Sequence, residues 1–235
     1  VSGAAARPVV DTRSAIDARP VPDAARPVIA VIDYGMGNRR SVEKALMHVG
    51  ADAVIASDFA TLRLADGLVL PGVGAFARGM AQLRAAGLDD LIFERVAAGV
   101  PLLGICLGMQ LLFERSTELG GDVGLGLVPG SVEAIDAGGR RVPHIGWNEV
   151  RVEGRSQLLS GGAPFYHVHS FCAHPSFGAD VTGSTEYGER FATVVERGSV
   201  FGVQFHPEKS SLDGLALLAR FSALSVASSV ERAAA

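Results

Sequence analysis

Pro101-Leu-Leu-Gly-Ile-Cys106-Leu-Gly-Met-Gln110 is the stretch on which the reading of this chain turns. Its first five residues form a short apolar run, as in a strand buried on both faces. Leu107–Glu114 then reads as a helix. Cys106 stands at the junction, bracketed by Gly104 and Gly108. A tight strand-to-helix turn drives the residue at its apex into a strained backbone conformation and lifts its side chain clear of the sheet. Side chains at the bracketing positions would clash, so glycine occupies them. The thiol then lies at a helix N-terminus, where the positive end of the helix dipole favours thiolate. The backbone N–H of Leu107 is left to meet a developing oxyanion. Cys106 is read as a nucleophile.

The same alternation recurs on the N-terminal side. Val28–Ile32, Ala53–Ile55 and Gly67–Leu70 are short apolar strands, and helices are expected over 41–49, 76–86 and 88–98. Strand–loop–helix alternation of this kind predicts a doubly wound parallel sheet with helices on both faces. Beyond residue 124 the pattern changes to short β-rich pieces at 131–135, 147–152, 165–171, 181–187, 191–195 and 200–205, with a last helix over 212–226. The fold class is therefore α/β. A single domain over 28–226 is expected, its mostly parallel sheet carrying a mixed or antiparallel β extension.

A nucleophilic cysteine needs a base, and the base needs an orienting group. Of the six histidines, His206 has the best context. It ends the apolar run Val200–Phe205, and catalytic groups in such sheets gather at the carboxyl ends of strands. Pro207 stiffens the link to Glu208, which is placed to hold and polarise His206. His48 lies on a helix face and reads as structural. His167 and His169 share one strand face, but no third ligand stands at a metal-site spacing. His174 precedes Pro175 in an expected turn and receives no role.

Pro71-Gly72-Val73-Gly74 follows another buried strand. Its glycines let the backbone approach a ligand and let a peptide rotate at low steric cost. The segment reads as a second source of oxyanion donors and as part of a substrate pocket. Glycine on both sides of Val73 would let the segment switch between a poor and a good oxyanion geometry. Asp33-Tyr-Gly-Met-Gly37-Asn38 has two glycines of a dinucleotide fingerprint, but Arg40 occupies the third position, so nucleotide binding is not expected.

Together these segments resemble the class I glutamine amidotransferases. Pro71–Gly74, Gly104–Gln110 and Gln204-Phe-His-Pro-Glu208 carry the general likeness. Asp33–Asn38, Val142-Pro-His-Ile-Gly-Trp-Asn148, His167-Val-His-Ser-Phe171 and His206-Pro-Glu-Lys-Ser210 narrow it to the glutaminase subunits of imidazole glycerol phosphate synthase, enzymes of histidine biosynthesis. The likeness covers residues 28–226. It implies that Cys106 attacks the glutamine carboxamide, His206 relays protons and Glu208 orients His206. It also implies that Leu107 and Val73–Gly74 supply oxyanion donors, while Gly72, Gln110, Ser170 and Phe171 hold the α-amino and α-carboxylate groups. The implied partner is a (β/α)₈-barrel cyclase in a heterodimer, receiving ammonia in the cytoplasm. Trp147, in a Gly-Trp-Asn turn, and Lys209 are the expected partner contacts. The family usually has a second aromatic residue where Cys172 follows Phe171, so modest repacking is expected there. The rivals are a glutaminase serving an anthranilate or aminodeoxychorismate synthase, a catalytically silent scaffold of the same fold, and a free-standing cysteine hydrolase.

Composition sets the outer limits. The chain has 235 residues, 48 % hydrophobic and 20 % charged, which suits a folded domain with a sizeable core. A formal net charge of -4 supplies no basic footprint for nucleic acid. Cys106 and Cys172 make no disulfide framework and are read as reduced thiols. No unbroken apolar run reaches the roughly 18 residues of a membrane span. No cofactor or metal is expected. Ala-Arg-Pro-Val recurs at 6–9, 18–21 and 25–28, and residues 1–27, without an apolar signal region, read as a mobile extension. Residues 227–235 read as a frayed tail.

Overall fold

The chain's apolar runs become strands wherever glycine, proline or a cap interrupts them early. The computed structural model describes residues 26–234, so nearly all of the expected N-terminal extension lies outside the described residues. The first half runs β1 (Val28–Ile32), α1 (Arg39–His48), β2 (Asp52–Ala56), α2 (Phe59–Leu64), β3 (Gly67–Gly72), α3 (Phe76–Ala85), α4 (Leu88–Ala97), β4 (Leu102–Cys106) and α5 (Leu107–Leu111). The second half runs β5 (Phe113–Ser116), β6 (Asp122–Val123), β7 (Val128–Ala134), β8 (His144–Val152), β9 (Ala163–His169), β10 (Phe171–Pro175), β11 (Val181–Tyr187), β12 (Glu189–Arg197), β13 (Val200–Val203) and α6 (Ser211–Ala234).

One sheet links these strands in the order β2-β1-β3-β4-β13-β12-β10-β7-β5-β6, with β11 joining β12 to β8 and β8 pairing with β9. The pairs from β2 to β13 are parallel. The extension from β12 onward is antiparallel except for β5 with β7. Two hydrophobic cores flank the sheet. One packs α2, α3, α4 and α5 on a face offering Ala30, Leu68, Leu70 and Leu102. The other packs Leu46 of α1 and Leu217, Leu218 and Phe221 of α6 on Ile29, Val31, Val69 and Leu103. Each fully buried Leu or Phe contributes roughly 1.5–3 kcal/mol. Successive residues of β1 and β3 serve opposite cores, which is why those strands read as unbroken apolar runs.

Four expectations are corrected. The helix after Cys106 stops at Leu111 instead of running to Glu114. Segment 124–128 takes over the freed carbonyls: Leu125 N donates to Leu111 O at 2.9 Å, Val128 N to Leu112 O at 3.0 Å and Gly126 N to Phe113 O at 3.0 Å. His174 is not in a turn but in β10, opposite Ser131 of β7. Trp147 likewise lies inside β8, opposite Tyr166 of β9.

The last helix also exceeds its expected end at 226 and continues to Ala234. Side chains from its extra turns find partners on the domain: Ser228 Oγ donates to Gly99 O at 2.7 Å and Ser229 Oγ to Asp66 Oδ1 at 2.6 Å. By length and composition α6 is apolar enough to cross a membrane. Its stripe of Gly214, Leu217, Leu218, Phe221, Ser222 and Ser225, however, is buried against the domain. That spacing is the one by which an amphipathic helix covers a core.

Candidate active site

The site forms where β3, β4 and β13 end together. At the end of β4, Cys106 has φ 55° and ψ −112°. This left-handed backbone is unfavourable for any residue with a Cβ, and it is the strain expected of a nucleophile at a tight turn. The bracketing glycines have measurable reasons. A Cβ on Gly108 would lie 1.7 Å from Leu70 O, and one on Gly104 would lie 2.7 Å from Gly108 C. Only bare backbone lets α5 press this closely on β3 and β4.

His206 follows β13 and is 3 % exposed. Its Nδ1 lies 2.9 Å from Glu208 Oε1. The turn is pinned from three sides: His206 N donates to Tyr166 O at 2.9 Å, Ser210 Oγ donates to His206 O at 2.6 Å, and Tyr166 N donates to Ser210 Oγ at 3.0 Å. Burial opposes charge on the imidazole, but contacts with Cys106 and Glu208 outweigh it and raise its pKa to about 9. The sulfur of Cys106 and the carboxyl of Glu208 both favour the charged imidazolium, which is the physical content of that shift. The Cys106 thiol has two further polar neighbours, Val168 O at 3.8 Å and Gln204 Nε2 at 3.9 Å.

A cavity of about 290 Å³ opens beside Cys106. It is lined by Val73, Gly74, Leu107, Gln110, Ser170, Phe171 and His206, so most residues expected to bind substrate share one wall. Gly72 is the exception and does not line the cavity. It is buried behind it, where a Cβ would meet Tyr34 Oη at 2.5 Å and Leu107 Cβ at 2.9 Å. Lys209, expected at a partner surface, lines the cavity mouth. Trp147 is 54 % exposed and meets Tyr166 edge-on at 6.2 Å.

Several residues with no role in the sequence reading join the site. Asn38 Nδ2 donates to Glu208 Oε1 at 3.4 Å across 170 positions of sequence. Tyr34 Oη donates to Pro71 O at 2.8 Å, and burial together with the nearby Cys106 pushes the phenol above its usual range. The Asp33–Asn38 loop is therefore a clamp on the Pro71–Gly74 segment and the triad, which gives that motif a use other than nucleotide binding. Gln110 Nε2 donates to Phe171 O at 3.1 Å and to Gln204 Oε1 at 3.1 Å. With both its donor hydrogens engaged, Gln110 offers a substrate its carbonyl oxygen. Glu118, Pro143, Val168 and His169 complete the cavity wall. Asn38, Gln204 and Pro143 lie in motifs already singled out, whereas Glu118 has no local signal.

This arrangement coincides with membership of a known family. The sequence pattern of the family "Glutamine amidotransferase class-I" matches residues 30–223. The chain belongs to the class-I glutamine amidotransferases. Among similar proteins, the imidazole glycerol phosphate synthase subunit HisH of Moorella thermoacetica is 51 % identical over 199 residues, covering 83 % of this chain and 94 % of that one. The subunit of the same name from Bacillus cereus (strain G9842) is 48 % identical over 198 residues, covering 83 % and 93 %. These likenesses place the amidotransferase in the HisH family. A crystal structure titled as a glutamine amidotransferase superposes with a TM-score of 0.68 at 24 % identity, covering 84 % of this chain and 98 % of that one, and attests the shared fold.

Proposed function

We propose that Cys106 hydrolyses the side-chain amide of glutamine and that the ammonia passes to a (β/α)₈-barrel cyclase subunit held with this chain as a heterodimer in the cytoplasm. The cyclase joins the ammonia to a phosphoribosyl-type aminoimidazole carboxamide nucleotide, making imidazole glycerol phosphate and an aminoimidazole carboxamide ribotide. The relatives are named as subunits of a synthase, which supports a second subunit.

The chemistry follows from the triad. The Cys106 thiolate attacks the carboxamide carbon, and the oxygen takes negative charge against Leu107 N–H and donors of the Val73–Gly74 segment. His206 gives its proton to the departing nitrogen, so ammonia leaves and a γ-glutamyl thioester remains. Neutral His206 then takes a proton from water as the water attacks the thioester. Collapse releases glutamate and restores the thiolate. Glu208 keeps the imidazole oriented throughout. Gln110, Ser170 and Phe171 hold the α-amino and α-carboxylate groups of glutamine.

The observation that carries this reading is the 2.9 Å contact between His206 Nδ1 and Glu208 Oε1, in the same cavity as a cysteine at positive φ. The test is glutamate release by the purified chain, alone and with the barrel cyclase plus its nucleotide, with Cys106→Ala as the blank. A large rise with the partner, absent in the blank, is expected. Activity indifferent to the cyclase would remove the partner from the proposal. Gly74→Val probes the oxyanion segment separately. Gly74 has φ 108°, and a Cβ there would lie 3.0 Å from Met36 Cε. Turnover should fall with partner affinity unchanged; an unchanged rate would count against a role for this peptide in the oxyanion site.

A further inference from the structure

On the far side of β10 from the cavity, three side chains converge that the glutaminase chemistry does not use. Cys172 and His174 are two residues apart on β10 and so share a face of the sheet. Glu189 reaches them from the start of β12. Cys172 Sγ lies 3.5 Å from His174 Nε2 and 3.5 Å from Glu189 Oε1. All three donor atoms lie within 4.8 Å of one another. We infer that Cys172, His174 and Glu189 form a binding site for a divalent, borderline-soft cation of the zinc class, with water as the fourth ligand.

The metric supports a tetrahedral cation. Bonds of about 2.3 Å to sulfur and 2.0–2.1 Å to nitrogen or oxygen set neighbouring ligand atoms roughly 3.5 Å apart. Both measured edges match that value. A hydrogen-bonded thiol, with His174 Nε2–H donating to Cys172 Sγ and the S–H donating to Glu189 Oε1, produces the same two edges, so binding of the cation itself is the observation that separates the two. The charges also close: one thiolate and one carboxylate neutralise a divalent ion, the imidazole stays neutral, and the thiol proton leaves to solvent.

The surroundings are built to the same end. Glu189 Oε1 accepts a hydrogen bond from Asp136 N at 2.7 Å, the kind of outer contact that fixes a ligand's direction. Glu133 stands opposite Cys172 on β7 and adds a second carboxylate to the local field. Cys172 is fully buried while His174 and Glu189 are partly open to solvent, which leaves an entry route. Phe171, next to Cys172, lines the glutamine cavity. The ion would therefore tie β10 to β12 directly behind that wall.

The chain has two cysteines, so in Cys106→Ala protein Cys172 is the sole thiol and any metal–thiolate signal is its own. Titration of that full-length protein with Co²⁺ should give one equivalent bound, near-ultraviolet cysteinate-to-cobalt charge transfer, and the visible bands of a tetrahedral ion. Zn²⁺ should bleach them. Adding Cys172→Ser should abolish the charge transfer. His174→Ala and Glu189→Gln, at partly exposed positions, should weaken binding roughly tenfold or more, with the metal-free circular dichroism spectrum unchanged. The inference is overturned by no charge transfer at stoichiometric cobalt, by a band that survives Cys172→Ser, or by His174→Ala binding within twofold of its parent.

Discussion

On the parallel side of the sheet, the side chains of β1, β3 and β4 are almost wholly apolar and, apart from the partly buried Val28, all buried, and the chemistry stands only at the strand ends. On the antiparallel side, the buried strands carry His144, His167, His169, Thr193, Ser184 and Thr185 through the middle of the structure. The parallel half acts as a rigid mount. It spends backbone strain at one residue, Cys106, and surrounds it with packing that cannot yield. The antiparallel half supplies the pocket wall at Val168–Phe171 and holds it with hydrogen bonds whose direction depends on protonation. Rigidity in the first half rests on shape, and in the second on charge state.

The largest expected effect falls where the halves meet, at the triad. Glu208→Gln keeps the shape of the side chain but removes the charge that helps hold His206 protonated. The rate of glutamine hydrolysis should fall roughly 10²–10⁴-fold. The residual activity should also lose its alkaline limb at a lower pH than the parent, whose His206 titrates near 9. A pH–rate profile of glutamate release measures both. An unshifted limb would mean that Glu208 acts as packing and not as charge.

Next in size is a test of the rigid mount. Gly108→Ala puts a Cβ 1.7 Å from Leu70 O, a backbone atom with nowhere to move. The cost should exceed about 4 kcal/mol in urea unfolding, in the rare class of severe substitutions. A loss below about 1 kcal/mol would show that the parallel half adapts, and the contrast between the halves would dissolve.

These two tests bear on features that could be read from the sequence to very different degrees. The elbow was legible because its requirements are local: an apolar run, a cysteine and two glycines within five residues. The parallel strands were legible because burial on both faces leaves an unbroken apolar run. The antiparallel half was harder. β10 contains His174 and Pro175, which imitate a turn, and only pairing with β7 makes them a strand. The apolar run Leu111-Leu-Phe113 continues a helical pattern, and only capture of its carbonyls by segment 124–128 ends the helix. Contacts such as Asn38 with Glu208, or Gln110 with Gln204, join residues 170 and 94 positions apart, so no spacing announces them. At the fully buried Cys172 the sequence points only to modest repacking, because its neighbours Glu189 and Glu133 arrive from other strands.

A medium effect is expected from the charge-dependent half. His167 Nε2 lies 3.1 Å from Thr193 Oγ1 and its Nδ1 3.0 Å from Phe165 O. His169 Nδ1 donates to Phe171 O at 2.9 Å, which leaves its Nε2 to accept from His144 Nδ1 at 3.0 Å. His144 Nε2 then accepts from Asn148 Nδ2 at 3.2 Å. Each ring in this ladder is neutral, and a proton added to His144 or His169 sets two donors against each other, while at His167 burial alone opposes the charge because the Thr193 hydroxyl can turn to accept. Burial is the main cause of the lowered pKa values, to about 4 at His144 and about 3 at His169, and lower than usual at His167. Because the folded values lie below the unfolded one, their contribution is complete above about pH 6.5 and is lost as pH falls toward 4. Each such histidine steepens the loss by up to about 1.4 kcal/mol per pH unit. In urea unfolding between pH 6.5 and 4.5, His167→Leu should flatten the slope by up to that amount, whatever it does to stability at neutral pH. An unchanged slope would assign acid sensitivity to the carboxylates instead.

The smallest effect isolates the strain at Cys106 itself. In an ordinary strand, glycine is less stable than alanine by roughly 0.5–1 kcal/mol, because it loses more backbone freedom on folding. At φ 55° and ψ −112° the order should reverse. Alanine keeps the Cβ that makes this conformation costly, whereas glycine drops it, and strain of this kind amounts to roughly 1–3 kcal/mol. Cys106→Gly should therefore be about 1 kcal/mol more stable than Cys106→Ala in matched urea unfolding, although neither can hydrolyse glutamine. Comparing two inactive variants removes the thiol, its charge and any bound substrate from the difference, leaving only the backbone. If alanine keeps its usual lead, the turn at Cys106 is relaxed, and the lift of the thiol into the cavity comes from glycine-enabled packing alone and not from stored strain.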